Sequence, residues 1–111
     1  MKSDEAYLRH ILEMIRRIEE NTRQGKSAFT ESHTLQDAVL RNLQTMTETT
    51  QRLSGALKAT RPHVEWDKMA AFRNVLVHGY LGIDLELIWG VVQKDVPKLK
   101  TAIVEMLESI R

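Results

Sequence analysis

Apolar residues recur at helical spacing along most of the chain, and this periodicity constrains the possible folds more than any other feature. One stripe at spacings i, i+3, i+4, i+7 and i+10 comprises Leu8, Ile11, Leu12, Ile15 and Ile18. Such a stripe is typical of a helix with one buried face. No segment alternates apolar and polar residues over the length of a strand, and no repeat of fixed period occurs. The chain is therefore predicted to be all-α.

The first predicted helix begins at Ser3, a suitable N-cap with acidic residues in the following turn, and ends near Gln24-Gly25. The stretch 26–33 is polar apart from Phe29. We expect this stretch to be a connection that can include a short turn of helix.

A second predicted helix opens with Thr34 and Asp37, which resemble a capping box, although Asp is shorter than the preferred Glu. Its stripe is spaced 4, 3, 4, 3, 4 and comprises Val39, Leu43, Met46, Thr50, Leu53 and Leu57. A heptad stripe of this length predicts one long helix that reaches about Ala59, with Thr50 as its polar member.

The remaining helix boundaries are predicted from proline, glycine and aspartate residues. A third helix is predicted to start after Pro62 and to run into Gly79 and Gly82, which are expected to end or loosen it. Asp84 is expected to cap a short fourth helix, and Asp95 followed by Pro97 predicts a fresh start for the last one. The sequence thus predicts an all-α, up-and-down bundle of four to five helices.

The size and charge of the chain narrow its functional class. Its 111 residues suffice for one domain, residues 1–111, with one hydrophobic core. The absence of cysteine excludes disulfides and thiolate chemistry and predicts a cytoplasmic protein. The apolar stretch Leu87–Val92 is far shorter than the roughly 20 residues that span a bilayer, so we expect no membrane association. Because the net charge is only +1, any phosphate-binding surface must be local or doubled by a partner.

Four polar side chains interrupt the apolar pattern where the third predicted helix is about to end. They are Arg73, Asn74, His78 and Tyr80. At about 100° per residue they fall within an arc of about 160°, with Asn74 and His78 one turn apart. The opposite side is expected to be apolar and comprises Phe72, Val75, Leu76 and Gly79. This segment is a candidate site, although Arg-x4-His also occurs by chance and a single helical His is usually structural.

The other histidines do not have the spacing of a metal site. His10, His33 and His63 are scattered, and none pairs with a second His or a carboxylate at a ligand spacing that also fits the helices. We therefore expect neither a metal nor a cofactor. Glu48, on the second predicted helix, has two interpretations that the sequence leaves open: an ion pair with Arg73 or an exposed carboxylate.

The segment MAAFRNVLVHGYLGID, with Trp66 before it and LELIW after it, resembles the HepT family of HEPN domains, the toxin partners of minimal nucleotidyltransferase antitoxins. The signature Arg-x4-His-x-Tyr is met by Arg73, His78 and Tyr80, and Asn74 supplies the polar residue after the arginine. The resemblance covers nearly the whole chain and includes QDAVLRNL and DVPKLK.

The resemblance implies a two-fold dimer whose motif helices face one another across a cleft. It also implies a metal-independent endoribonuclease in which Arg73 and His78 are catalytic and Asn74, Tyr80 and Glu48 support them. The RNA substrate would be transfer RNA or messenger RNA. A nucleotidyltransferase antitoxin would silence the toxin by transferring AMP from ATP to Tyr80. Where the family commonly has Gly-Glu-Ala, this chain has Thr-Glu-Thr around Glu48, so the acidic residue is kept and its small neighbours are replaced.

These residue types suit RNA cleavage without a metal ion. Such cleavage removes a proton from the 2′-hydroxyl, stabilises charge on the phosphorane and protonates the 5′-oxygen. An imidazole performs either proton transfer near neutral pH, a guanidinium binds phosphate oxygens, and an amide orients either the imidazole or the phosphate. Because the motif holds one histidine, an acid–base pair would need His78 from each protomer, and we expect monomeric protein to be nearly inactive.

Two other interpretations stay open. The first is a non-catalytic dimer of the same fold that binds a nucleotide or the partner nucleotidyltransferase as a scaffold. The presence of Arg73, His78 and Tyr80 together favours the nuclease, because a scaffold does not need all three. The second is a helical bundle without an active site, which the polar arc disfavours.

Overall fold

A computed structural model of the chain describes residues 2–79 and 81–110, with side chains from residue 4 onward. Every regular element in these residues is helical, which confirms the all-α prediction. Within this part of the chain the helices are α1 (Lys2–Thr22), α2 (Lys26–Glu31), α3 (His33–Thr50), α4 (Gly55–Ala59), α5 (Trp66–His78) and α6, which joins Leu85–Gly90, the π-helical turn Val91–Asp95 and Val96–Ile110.

The long helices α1, α3, α5 and α6 form the bundle. Helix α3 packs against both α1 and α5, and the second half of α6 packs on α1. The stripes predicted for α1, α3 and α6 supply its core, which includes Leu8, Ile11, Ile15, Ile18, Val39, Leu43, Met46, Leu99, Ile103 and Met106. Full burial of such side chains contributes about 1.5–3 kcal/mol each. No helix in the described part of the chain is both long and apolar enough to cross a membrane.

Helix α2 lies in the stretch that the sequence predicted as a connection. It follows Gly25, whose φ of 99° lies in the left-handed region that favours glycine. Phe29 has no exposed surface, and its ring centroid lies 5.5 Å from that of Trp89 on α6. The side-chain amide of Gln36 donates to the carbonyls of Phe29 and Thr30. The short helix is thus anchored to the core by one buried aromatic side chain.

Ser32 caps the start of α3, so the capping box predicted from Thr34 and Asp37 is wrong. The N–H of Leu35 donates to Ser32 Oγ at 3.1 Å. Ser32 has the extended backbone geometry of an N-cap, whereas Thr34 and Asp37 lie inside the helix with exposed side chains.

Helix α3 ends at Thr50, not near Ala59 as predicted. Leu53 stays buried in the following turn, so the apolar stripe continues in space although the helix does not. Ser54 then caps α4, and Asp4 on α1 accepts hydrogen bonds from its N–H at 2.9 Å and its hydroxyl at 2.7 Å. These bonds, the backbone one foremost, hold the pKa of Asp4 below its ordinary value of 3.8. The contact between Ser54 and Asp4, which are distant in sequence, therefore stabilises the break between α3 and α4.

The fresh helix start predicted at Asp95 and Pro97 is also wrong, because α6 is continuous. Asp84 caps its beginning as predicted and accepts from two backbone N–H groups. Further along, Val91–Asp95 form a π-helical turn. A proline ring clashes with the carbonyl four residues before it in an α-helix. The wider turn immediately before Pro97 accommodates the ring without ending the helix.

Candidate active site

Helix α5 carries the polar motif, and local contacts hold both of its ends. At its start, Trp66 Nε1 donates to the carbonyls of Lys58 at 3.2 Å and Arg61 at 3.3 Å. At its end, the Gly79 N–H donates to the Val75 carbonyl at 2.8 Å. A Cβ at Gly79 would lie 2.8 Å from that oxygen, closer than real Cβ contacts allow. The predicted helix end at Gly79 is confirmed, and the close approach explains the glycine.

Glu48 holds Arg73 against α3. Arg73 Nε donates to Glu48 Oε2 at 3.0 Å, and a terminal guanidinium nitrogen lies 3.0 Å from the same oxygen. Gln44, one turn earlier on α3, donates to this oxygen at 3.4 Å. The side chains of Arg73 and Glu48 are 34% and 35% exposed, respectively. Of the two interpretations that the sequence left open for Glu48, the structure contains the ion pair.

Asn74 adds a second contact to Arg73. A terminal nitrogen of Arg73 donates to Asn74 Oδ1 at 3.3 Å. The amide oxygen is therefore engaged, and the amide NH₂ group is available to donate to a phosphate oxygen or to an imidazole. A guanidinium has five N–H groups, more than these contacts use, so others are available for phosphate oxygens.

His78 lies on the exposed face of α5, one turn after Asn74. In the described part of the chain its imidazole makes no hydrogen bond or ion pair, so it faces solvent. Val75 lies about 60° from His78 around the helix and is 49% exposed, so the apolar side of α5 is only partly buried. The reason is that α5 packs mainly on α3, which leaves its far side uncovered. Phe72 and Leu76 pack toward the core as predicted.

The remaining candidate residues are dispersed. Tyr80 lies outside the described residues. His10 Nδ1 lies 3.0 Å from Thr49 Oγ1, whereas His33 begins α3 and His63 lies in the loop before α5. Among residues 2–79 and 81–110, no three His, Asp or Glu side chains gather closely enough to hold a metal ion. Sequence reasoning missed the His10–Thr49 contact and the bond from Gln44, although the latter follows from the i, i+4 spacing of Gln44 and Glu48.

The motif side chains lie outside the apolar groove between α5 and α6. This groove has a volume of about 660 Å³, and its apolar lining includes Met46, Val64, Met69, Phe72, Val91 and Leu99. Arg73, Asn74 and His78 are not part of that lining. The site is thus presented at an exposed surface, where a large substrate or a second protein can reach it.

The fold and these side chains define a class of protein: a small helical domain that presents an arginine, an amide and an imidazole near the end of one helix. The family model described as "Ribonuclease HepT-like" matches residues 11–106, a range that includes Glu48, Arg73 and His78. The chain belongs to this HepT-like ribonuclease family, and the resemblance seen in the sequence is confirmed.

Several similar proteins carry names that include a ribonuclease. A Methanocaldococcus jannaschii protein, whose name combines gamma-glutamylcyclotransferase with a candidate RNase, is 39% identical over 110 residues, which are 98% of this chain and 50% of that protein. The chain therefore spans half the length of this relative. The "Probable ribonuclease HepT" of Thermococcus cleftensis is 35% identical over 89% of this chain and 91% of its own. A candidate RNase of Caldanaerobacter subterraneus is 29% identical, with 97% of both chains covered. No solved structure gives a significant match.

Proposed function

We propose that the protein is a metal-independent endoribonuclease that acts in the cytoplasm and uses Arg73 and His78. The observation that carries the proposal is the arrangement of the motif in a member of a ribonuclease family. Arg73 is oriented by Glu48 and contacts Asn74, and the exposed His78 follows one turn later.

The reaction follows from the chemistry of these groups. The 2′-oxygen of RNA attacks the adjacent phosphorus, the bond from phosphorus to the 5′-oxygen breaks, and a 2′,3′-cyclic phosphate and a 5′-hydroxyl result. One imidazole accepts the 2′-hydroxyl proton, and a second donates a proton to the departing oxygen. The guanidinium of Arg73 binds the non-bridging oxygens, whose charge increases in the transition state.

The proposal is tested with purified protein, single-stranded RNA and excess EDTA. We expect internal cleavage, with fragments that carry 2′,3′-cyclic phosphate and 5′-hydroxyl ends. Cleavage that stops in EDTA and returns with added Mg²⁺ would contradict metal independence. RNA that survives with clean dimeric protein would instead favour the non-catalytic scaffold.

We also propose a two-fold dimer, because each motif supplies a single histidine. In such a dimer the exposed faces of α5 approach one another and bring both copies of His78 to one cleft. The half-exposed Val75 beside His78 and the exposed Ala71 one turn before it provide a small apolar surface for this contact.

Val75→Glu is expected to give a monomer with RNA cleavage reduced at least about hundredfold. A two-fold contact would place the new carboxylate near its own copy, and like charges in contact cost several kcal/mol. Analytical ultracentrifugation measures the dimer and RNA cleavage measures the activity. Val104→Glu, on α6 and 36% exposed, is the matched control and should change neither. A fully active monomer would contradict the dimeric site.

Regulation is proposed to act through Tyr80. A cognate minimal nucleotidyltransferase would join the phenol oxygen to the α-phosphorus of ATP and release pyrophosphate and the phenol proton. The added phosphodiester charge and base would occupy the region that a substrate phosphate needs near Arg73. The intact mass measured with the partner and ATP should rise by one adenylyl group (AMP less one water), and Tyr80→Phe should abolish the increase. Modification of Tyr80→Phe protein would contradict this site.

Glu48→Gln is expected to lower kcat by about tenfold, with a smaller change in KM. The substitution removes the charge that orients Arg73, and a charge-assisted hydrogen bond contributes about 1.5–3 kcal/mol. Glu13→Gln is the matched control, because Glu13 also accepts from arginines but lies on α1. The two variants should have similar thermal midpoints, since both carboxylates are partly exposed. Equal loss of activity in both would contradict the positioning role of Glu48.

A further inference from the structure

Binding of an RNA backbone requires more positive charge than the motif itself supplies. Arg73 is the cation of the motif, and Glu48 lies within 3.0 Å of it. A carboxylate at this distance cancels most of the field of a guanidinium beyond the immediate contact. If the chain acts on RNA as proposed above, other cations must therefore bind the phosphates that flank the cleaved one.

Most of the basic side chains that the structure describes are already engaged in ion pairs. The engaged ones are Arg9, Arg16, Arg17, Lys26, Arg61, Lys68, Arg73 and Lys100. On α1, Glu13 accepts from Arg16 and Arg17, and these bonds lower its pKa to about 2. Within residues 4–79 and 81–110, the basic side chains without an ion pair are Arg23, Arg41, Arg52, Lys58, Lys94 and Lys98.

Two of these unpaired side chains flank Glu48 on one face of α3. Arg41 lies two helical turns before Glu48, and Arg52 lies about one turn after it. At about 100° per residue both fall within about 40° of Glu48. Arg52 follows the end of the helix, but its N–H still donates to the Thr49 carbonyl at 3.0 Å, so the chain keeps winding. Both arginines are exposed.

Helix α5 reaches this face through the contact between Arg73 and Glu48, and on either side of that contact Arg41 and Arg52 are exposed. The α3 side chains at the opposite positions, including Val39, Leu43 and Met46, are buried. The eleven-residue interval from Arg41 to Arg52 corresponds to about 16 Å along a helix. Asp37 lies one turn before Arg41 on the same face, and its carboxylate would repel phosphate. On this face the two unpaired arginines therefore lie on either side of the Arg73 contact.

We propose that the RNA backbone lies along this face of α3, with Arg41 and Arg52 binding phosphates on either side of the one held by Arg73. The inference rests on the proposed nuclease function and adds to it the path of the substrate. The contacts are to phosphates, so they contribute affinity and register without base specificity.

The proposal is tested by binding of a labelled single-stranded RNA over a range of salt concentrations. His78→Ala is present throughout, so that the RNA stays intact. Added to it, the double substitution Arg41→Gln and Arg52→Gln should weaken binding at least about tenfold. The slope of log K against log salt is negative, and its magnitude should decrease by about 1.4, because each lost single-strand phosphate contact contributes about 0.7.

The matched control removes two unpaired cations elsewhere. Arg23→Gln with Lys94→Gln changes the net charge equally and should alter affinity less than about twofold. Arg41→Lys with Arg52→Lys keeps the charge and should retain most of the salt slope. If the Arg41 and Arg52 Gln pair and the control pair lost RNA affinity equally, the loss would be explained by the change in net charge alone, and the proposal would be overturned.

Cleavage assays on variants that retain His78 distinguish the proposed RNA path from the proposed nuclease activity. The Arg41 and Arg52 Gln pair should raise KM about tenfold and leave kcat within about twofold. If the parent protein cleaves RNA and this pair has an unchanged KM, the path is wrong and the nuclease stands. If the parent neither binds nor cleaves RNA, both proposals fail. Thermal midpoints equal to that of the parent will show that the variants are folded.

Discussion

His78→Ala is expected to reduce RNA cleavage by about 10²–10⁴-fold, the usual contribution of general acid–base catalysis. In the proposed dimer the substitution removes both imidazoles at once, so the acid and the base are lost together. The fold should be unaffected, because His78 is exposed and its imidazole makes no hydrogen bond or ion pair within the described residues. Initial rates of cleavage and the thermal midpoint measure the two effects.

A matched histidine makes the test specific. His33 is also exposed but begins α3, away from the motif, and His33→Ala should cleave RNA at the parent rate. Mixed dimers with one His78→Ala chain offer a sharper test. If each imidazole has a separate role in one cleft, such dimers should lose most of their activity. If the protein with His78→Ala in both chains cleaved RNA at the parent rate, the proposed mechanism would be contradicted.

Phe29→Ala is expected to lower the free energy of unfolding by about 3–5 kcal/mol. Phe29 is a fully buried aromatic residue, and it packs on Trp89 at a centroid distance of 5.5 Å. Truncation would leave a cavity that the neighbouring helices cannot fill completely. Because Phe29 is the buried residue of α2, this helix should also lose its anchor. Urea unfolding followed by circular dichroism measures the loss.

The control is an exposed apolar residue on the helix that Phe29 contacts. Leu87 on α6 is 52% exposed, and Leu87→Ala should change stability by less than about 0.5 kcal/mol. If Phe29→Ala were no more destabilising than Leu87→Ala, the packing of α2 on the core would be contradicted.

Local signals in the sequence predicted the helix boundaries that depend on neighbouring residues. Asp84 caps α6 through hydrogen bonds within its own first turn, and Gly79 is the C-cap of α5, where its N–H donates to the carbonyl four residues earlier. The stripe of α1 is buried because a period near 3.6 residues places its members on one face. These features were predictable because cause and effect lie within a few residues of each other.

The failed boundary predictions depend on distant contacts or on local backbone adjustments. The end of α3 at Thr50 is accompanied by hydrogen bonds from Ser54 to Asp4, a residue on another helix. The heptad pattern continues through this turn because Leu53 stays buried. Helix α6 passes through Pro97 because a π-helical turn removes the clash that would end an α-helix.

By itself, the sequence determined the all-α fold, the family and the order of Arg73, Asn74 and His78 on one helix, because helical period and residue spacing are local properties. The tertiary structure decided which faces are covered. It paired Arg73 with Glu48, exposed Val75 beside His78, and left Arg41 and Arg52 without ion pairs in the part of the chain that it describes. These features depend on how α3 and α5 pack, since burial and electrostatic pairing are set by neighbours that are distant in sequence.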